Sequence, residues 1–209
     1  MAVIKDTTRA DLNAVADCHR SAFPDTLTSA LGRAYCRKML EWYLSTDRAF
    51  IFHIEHDNKV VGYCGGIIVD GTLAHGSASS MTQYSFDQAV KSFIKKPWLL
   101  FHKEMIKRYD FVLRNIYRKL WNKKGRTTLS NPTEPNVGLV VIGVDKKFQQ
   151  KGFGAQLLVH FEKVTRQKGF KVMKLTVNSK NEKAIRSYKQ NGWIEQEVRG
   201  ESLSMVKRI

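Results

Sequence analysis

The segment Val144-Asp145-Lys146-Lys147-Phe148-Gln149-Gln150-Lys151-Gly152-Phe153-Gly154 sets two glycines at the opening of a predicted helix, behind a polar turn and a short apolar strand. Glycine lets the backbone come close to a ligand. The first N–H groups of a helix have no acceptor inside it, and with the helix dipole they suit a pyrophosphate. Lys151 adds a point charge. A lone G-x-G is equally the makings of an ordinary turn, so both readings stay open on this segment alone. It is not a P-loop, since G-x-x-x-x-G-K-[ST] is absent, and it lacks the G-x-G-x-x-G spacing of a dinucleotide fold.

A second run lies downstream: Leu175-x-Val177-x-x-x-Asn181-x-x-Ala184-x-x-x-Tyr188-x-x-x-Gly192-Trp193. Asn181 suits a helix cap, and Tyr188 sits at helical spacing from Ala184, as a core aromatic also would. Taken together, the two runs resemble the GNAT superfamily of acyltransferases. That family carries a Gln/Arg-x-x-Gly-x-Gly/Ala turn after its fourth strand, matched here by Gln149, Gly152 and Gly154. It also carries an Asn, a small residue and a Tyr on the helix after its fifth strand. The resemblance covers Gly138 to Lys207 well, Val3 to Val69 loosely, and Gly71 to Pro135 not at all.

The resemblance implies an α/β GNAT fold, one N-acetyltransferase domain over 1–209, with 71–135 inserted between the third and fourth strands. It implies acetyl-CoA or another acyl-CoA as cosubstrate and a primary amine as acceptor, attacking the thioester directly. Main-chain groups of Ile142, Gly143 and Val144 would pair with the pantetheine arm. Backbone amides of Gln149, Gln150, Lys151, Gly152, Phe153 and Gly154 would hold the pyrophosphate. Asn181 would contact the arm, Ala184 would leave room for it, and Tyr188 would protonate the departing thiolate. An N–H near Val144 would meet negative charge developing on the carbonyl oxygen. An alkylamine is mostly protonated at neutral pH, so a base is expected. The strand Leu139 to Val144 supplies none, and His75, Asp70 and Glu134 are the candidates from the flanking insertion.

Composition bounds the alternatives. The chain has 209 residues, 43% hydrophobic and 26% charged, which is ordinary for a globular protein. No apolar stretch approaches the ~20 residues of a membrane span, and the N-terminus does not read as a signal peptide. Cys18, Cys36 and Cys64 are widely spaced, without C-x-x-C, and read as reduced thiols of a cytoplasmic protein. No spacing supports a metal site, and His53 and His56 are expected to face solvent.

The net charge of +16 is concentrated. Lys91 to Arg126 holds twelve basic residues against Glu104 and Asp110, so this segment alone carries +10. Trp98, Phe101, Ile106, Phe111, Val112, Ile116, Leu120 and Trp121 are interleaved with those cations, predicting an amphipathic helix or helix pair that overhangs the acceptor side. A solvated cap, a nucleotide-linked amino sugar as acceptor, and peripheral contact with anionic lipid through 91–126 are all consistent with it. Protein or polyamine acceptors, a CoA binder without turnover, and a nucleic-acid-binding module complete the alternatives. The last is disfavoured because the charge lies outside the motif-bearing half and no nucleic-acid motif is apparent.

The elements that position these residues follow from periodicity. A helix begins near Thr8 and Asp11, which resemble a capping box, carries Leu12, Val15, Cys18 and Phe23, and stops at Pro24. A second helix is expected over Ser29 to Leu44. Strands over Phe50 to Glu55 and Val60 to Val69 are joined at Asp57-Asn58-Lys59. Then come a buried strand Gly138 to Val144, a helix Phe153 to Gln167, a strand Lys171 to Val177 and a helix Asn181 to Gln190. Two closing strands run near Trp193 to Val198 and Leu203 to Lys207.

Overall fold

The structure, a computed structural model, describes residues 2–70, 77–106, 117 and 134–209. The chain begins with β1 (Ala2–Asp6), then α1 (Leu12–Ala22), α2 (Leu27–Leu31), α3 (Arg33–Glu41) and a 3₁₀ turn, Trp42–Leu44. The hairpin β2 (Ala49–His56) and β3 (Lys59–Val69) follows, with Asp57 and Asn58 both at left-handed φ of 50° and 59°. Two such residues in succession make the turn whose twist matches that of paired strands. Between β3 and the next strand lie α4 (Ser77–Tyr84), α5 (Phe86–Lys95), a 3₁₀ turn Pro97–Phe101, and α6 (Lys103–Ile106). The motif-bearing half contains β4 (Asn136–Val144), α7 (Phe153–Gln167), β5 (Val172–Asn178), α8 (Glu182–Gln190), β6 (Ile194–Arg199) and β7 (Ser202–Arg208).

The strands form one seven-stranded sheet in the order β1-β2-β3-β4-β5-β7-β6. Every neighbouring pair is antiparallel except β4 and β5. Those two pair in parallel at only three positions: Val137 with Met173, Gly138 with Lys174 and Leu139 with Leu175. Beyond Leu139 they part, although β4 continues to Val144 and β5 to Asn178. On its other side β4 carries a bulge. Gly66 faces Leu139 and Gly65 faces Val141, which leaves Val140 as the extra residue. A bulge bends its strand and sharpens the local twist, and here it falls where pairing with β5 stops. The sheet is therefore opened at its middle, on the residues read from sequence as a cofactor edge.

Both faces of the sheet are covered. On one, Phe52, Ile54, Val137, Leu139, Met173 and Met205 pack with Leu157, Leu158 and Phe161 of α7 and with Tyr188 of α8. On the other, Ile51 and Tyr63 pack with Leu12, Val15 and Cys18 of α1 and with Cys36 and Leu40 of α3. Alternation along β2 produces this, with Phe52 and Ile54 to one side and Ile51 to the other.

Several expectations need correction. The strand β1 was not read from the sequence: its five residues include Lys5 and Asp6, and its pairing with β2 decides the matter. The single helix over Ser29 to Leu44 is three pieces: Gly32, at φ of 104°, separates α2 from α3, and the end of α3 tightens into the 3₁₀ turn Trp42–Leu44. His53 is not solvent-facing; β1 covers it, it has no exposure, and its Nδ1 lies 2.9 Å from Thr7 Oγ1. Thr8 and Asp11 make half of the capping box, Asp11 Oδ2 accepting from Thr8 N at 2.8 Å and from Thr8 Oγ1 at 2.7 Å. In the basic stretch, Trp98, Phe101 and Ile106 are 63, 78 and 55% exposed, and Leu99 and Met105 are the residues buried instead. Phe111, Val112, Ile116, Leu120 and Trp121 lie outside the described residues.

Candidate active site

The opening between β4 and β5 is lined by two cavities that meet. The larger, about 860 Å³, runs along Ile142, Gly143 and Val144, past the turn at Gln149 and Gln150, to Gly152 and Gly154, and across to Asn181, Ala184 and Tyr188 of α8. The smaller, about 300 Å³, lies against His19 and Phe23 of α1, Thr26 and Thr28 around the start of α2, and Leu139 to Ile142, Leu175 and Thr176. Phe23, Ile142 and Tyr188 line both.

The larger cavity has the features of an anion site at its turn. Gln150 and Gly152 are both left-handed, with φ of 64° and 82°. A Cβ on Gly152 would meet nothing within 4 Å, so space lies open beside it. Gly152 is the N-cap of α7. No side chain caps the helix, and its first turn holds no acidic residue. The leading amides are thus left to an outside acceptor, where the helix dipole also favours negative charge. Gln149 is pinned, its Nε2 donating to Val144 O at 3.2 Å and its Oε1 accepting from Lys183 Nζ at 3.2 Å.

Two residues read from sequence as cofactor contacts do not line this cavity with their side chains. Lys151 Nζ lies over the Phe148 ring, 5.1 Å from its centroid. Phe153 is 6% exposed and packs against His56 and Phe148. Their backbone amides remain part of the turn. The cations at the cavity wall are instead Lys183 and Arg186, which sequence reasoning missed. The available signal was their spacing on α8: residues three and four apart share a helix face, and Ser187 completes that face. Truncating Lys183 to alanine is expected to weaken CoA binding by about 3- to 10-fold at low salt, and less at high salt, because an exposed cation is screened. Titration calorimetry at two ionic strengths reads this directly.

Asn181 caps α8, its Oδ1 accepting from Ala184 N at 3.2 Å, so it fixes the helix start as well as lining the cavity. Tyr188 is 9% exposed and meets Trp193 edge-on at 6.1 Å, which accounts for the aromatic residue after Gly192. Burial pushes its phenol up to about 12, with Cys64 a smaller contributor, so it keeps its proton across neutral pH.

Two of the three base candidates do not reach the site. Asp70 pairs with Arg48 at 2.8 Å, and Glu134 holds Arg208 through two bonds of 2.7 and 2.9 Å. Both flank the start of β4, where Val69 faces Asn136, six residues and on the order of 20 Å along the strand from Ile142. His75 lies outside the described residues. The described residues lining the smaller cavity include no Asp, Glu, Lys or Arg.

His19 is the other residue missed. It falls on the apolar face of α1, four positions after Val15, and a polar residue within that stripe was the available signal. It is 6% exposed, and its Nδ1 lies 2.5 Å from Tyr63 Oη. Burial lowers its pKa to about 4. An unfolded histidine near 6.5 therefore takes a proton that the folded one refuses. The resulting stability is complete above about pH 6.5 and is lost as pH falls from 6.5 towards 4, roughly 3 kcal/mol at most. Denaturation midpoints across that window should drop steeply in the wild type and less in His19→Gln.

The sheet order and the split between the two central parallel strands, over a glycine turn, are what the comparisons with known proteins are set against. Residues 116–193 match the model of the acetyltransferase (GNAT) family. The motif-bearing segment is therefore similar to that family, and the whole chain shares the fold of the solved structures that follow. The likeness to solved structures spans the whole chain. The PaiA N-acetyltransferase of Thermoplasma acidophilum, solved with coenzyme A, has a TM-score of 0.59 at 13% identity, covering 100% of this chain and 99% of that one. The ribosomal-protein-S18-alanine N-acetyltransferase of Escherichia coli gives 0.58 at 16%, covering 100% and 94%. A GNAT acetyltransferase of Elizabethkingia anophelis with acetyl-CoA bound gives 0.54 at 11%, covering 100% and 98%. No curated protein sequence matches the chain. Among the described residues no group of three or more His, Cys, Asp or Glu could hold a metal ion, and no helix is long and apolar enough to cross a membrane.

Proposed function

We propose that the protein is an acyl-CoA-dependent N-acyltransferase that moves an acetyl or short acyl group to a primary amine. The observation that carries this reading is the placement of Tyr188. It lines both the larger cavity, which ends at an uncapped helix start, and the smaller one on the far side of the split. The larger cavity fits a long chain ending in phosphates. Main-chain groups of Ile142, Gly143 and Val144 face no partner strand there, since pairing with β5 stops at Leu139. They would hold an amide-bearing arm as an added strand does. The amides of Gln149 to Gly154 would take the diphosphate, with Lys183 and Arg186 adding charge, and Asn181 and Ala184 would flank the arm.

Acyl-CoA supplies an activated thioester carbonyl. The acceptor nitrogen approaches from the smaller cavity, and Tyr188 donates a hydrogen bond to the sulfur as the C–S bond breaks. With its pKa at about 12 the phenol is a firm donor and a reluctant acid. Its contribution lies in meeting charge that develops on sulfur, more than in early proton release. The smaller cavity lacks carboxylates, so an ammonium entering it is desolvated without compensation and its pKa falls. After the attack, the nitrogen sheds one proton to water and the thiolate leaves on the Tyr188 hydrogen bond, since no described residue of that cavity is a carboxylate.

For the acceptor we favour an amino sugar joined to a nucleotide. Support comes from the tie between α2 and the basic helices: Glu104 Oε2 accepts from Leu27 N at 3.1 Å, and Lys96 Nζ donates to Ala30 O at 2.9 Å. This sets Lys91, Lys95 and Lys103 on elements adjoining the acceptor side, where they would meet phosphates outside an uncharged amine pocket. Polyamines fit less well, because the described residues of that pocket offer no anion. The three free, buried cysteines are in keeping with a cytoplasmic protein. Release of CoA thiol over a panel of nucleotide amino sugars, peptides and polyamines tests the acceptor. Turnover of peptides or polyamines alone would remove the sugar.

A further inference from the structure

Phe23, Ile142 and Tyr188 stand where the two cavities meet, since each lines both. The reacting carbonyl has to sit at that junction, its sulfur arriving from the larger cavity and the amine from the smaller one. A thioester is planar, so the acyl chain leaves the carbonyl on the side away from sulfur and runs on into the junction. There Tyr188 serves the sulfur and Ile142 serves the arm through its main chain. Phe23 contributes only its ring, and that ring is fixed. Its backbone is held at the end of α1, N–H donating to His19 O at 2.9 Å and O accepting from Thr26 Oγ1 at 2.9 Å. The ring lies on Gly143 of β4, where an added Cβ would come within 2.9 Å of Phe23 Cε2. The His19 ring stands beside it, centroids 5.1 Å apart. Backed by a strand and a buried imidazole, the ring cannot retreat without displacing packed atoms, and packed interiors yield little.

We propose that the Phe23 ring is the wall that sets acyl length, admitting the acetyl thioester and turning away chains as long as hexanoyl. The proposal deepens the acyl-CoA reading of the cleft and rests on it. Space is short on the far side of the junction as well. The smaller cavity, about 300 Å³, has to hold the amine end of the acceptor together with any chain that passes. A lengthening chain therefore meets the ring first and the acceptor's space next. One methylene too many in an apolar site is discriminated against by roughly 10- to 200-fold. Removing the ring would add its volume to both cavities, so the block belongs to one side chain.

Binding reads the proposal without any acceptor. The intact protein is titrated calorimetrically with CoA, acetyl-CoA, butyryl-CoA and hexanoyl-CoA. The wild type is expected to bind hexanoyl-CoA roughly 10- to 100-fold more weakly than acetyl-CoA, with butyryl-CoA between them. In Phe23→Ala the penalty should vanish, hexanoyl-CoA binding within about 3-fold of acetyl-CoA or more tightly, while affinity for CoA itself stays within about 2-fold. Phe23→Trp should act in the opposite sense and weaken acetyl-CoA relative to CoA by roughly 5-fold or more, because a larger ring overfills the junction. Should Phe23→Ala fail to fold, Phe23→Leu keeps apolar packing at the end of α1 and should still relieve part of the penalty. Equal affinity of the wild type for all three thioesters overturns the proposal and leaves the acyl-CoA reading intact. A hexanoyl penalty that survives undiminished in both smaller variants also overturns it, by putting the wall elsewhere. So does an equal loss of affinity for CoA and every thioester in Phe23→Ala, which would make the ring a support of the cleft. Failure of the wild type to bind CoA or acetyl-CoA overturns the acyl-CoA reading first and this proposal with it.

Discussion

Replacing Tyr188 with phenylalanine is expected to lower kcat by roughly 10²- to 10³-fold, the range lost with one preorganised donor to developing charge, while CoA affinity stays within about 2-fold. The substitution keeps the ring, which packs against Trp193 at 6.1 Å and fills the junction of the two cavities. It removes only the hydroxyl. An interaction made as the C–S bond breaks lowers kcat and kcat/KM together, whereas one shared by ground and transition states would raise KM alone. Steady-state kinetics with a fixed amine, alongside calorimetry with CoA, separates the two. Unchanged kcat would mean that the phenol is a packing residue. A protein that binds CoA equally well with either residue and turns over neither would be a binder without catalysis.

The second large effect concerns stability. Phe161 has no exposure and stacks on Phe50 with ring centroids 5.7 Å apart. The sheet has made room for it: a Cβ added at Gly66 would come within 2.7 Å of the Phe161 ring. Phe161→Ala removes a ring from a site shaped around it and should cost about 3–5 kcal/mol. At roughly 2–4 °C per kcal/mol for a chain of this size, Tm falls by about 6–20 °C. Calorimetry checks this, and a fall of only 1–2 °C would mean that the face of α7 against β3 is not the structural centre described. The functional consequence is direct, because α7 carries the uncapped helix start at its other end.

Much of the motif-bearing half was legible because its signals are local. Alternation set β5, a 3.6-residue period set α7, and Gly152 and Gly169 marked its ends, both at left-handed φ. The first half was less legible for equally physical reasons. β1 has too few apolar residues to announce itself and is made by pairing with β2. The break at Gly32 sits inside an apolar pattern that continues on both sides. His53 looked solvent-facing because nothing local reports that β1 would cover it.

Legibility of the candidate site was divided in the same way. Ile142, Gly143, Val144, Gln149, Gln150, Gly152, Gly154, Asn181, Ala184 and Tyr188, drawn from two runs far apart in sequence, line one cavity. Lys151, read from the sequence as a point charge beside the turn, has its ammonium over the Phe148 ring. His19 could not be placed from sequence, because its importance comes from β3 and from Tyr63, 44 positions away in the chain. The split of β4 from β5 is likewise a long-range property. The bulge at Val140 leaves no mark in a run of apolar residues.

A crystal structure of the protein with acetyl-CoA tests the central claim most directly. The account predicts the diphosphate on the amides between Gln149 and Gly154, the arm along Ile142 to Val144, and the thioester sulfur within hydrogen-bond reach of the Tyr188 hydroxyl. Diphosphate bound away from the start of α7, or sulfur well beyond reach of that hydroxyl, would contradict it.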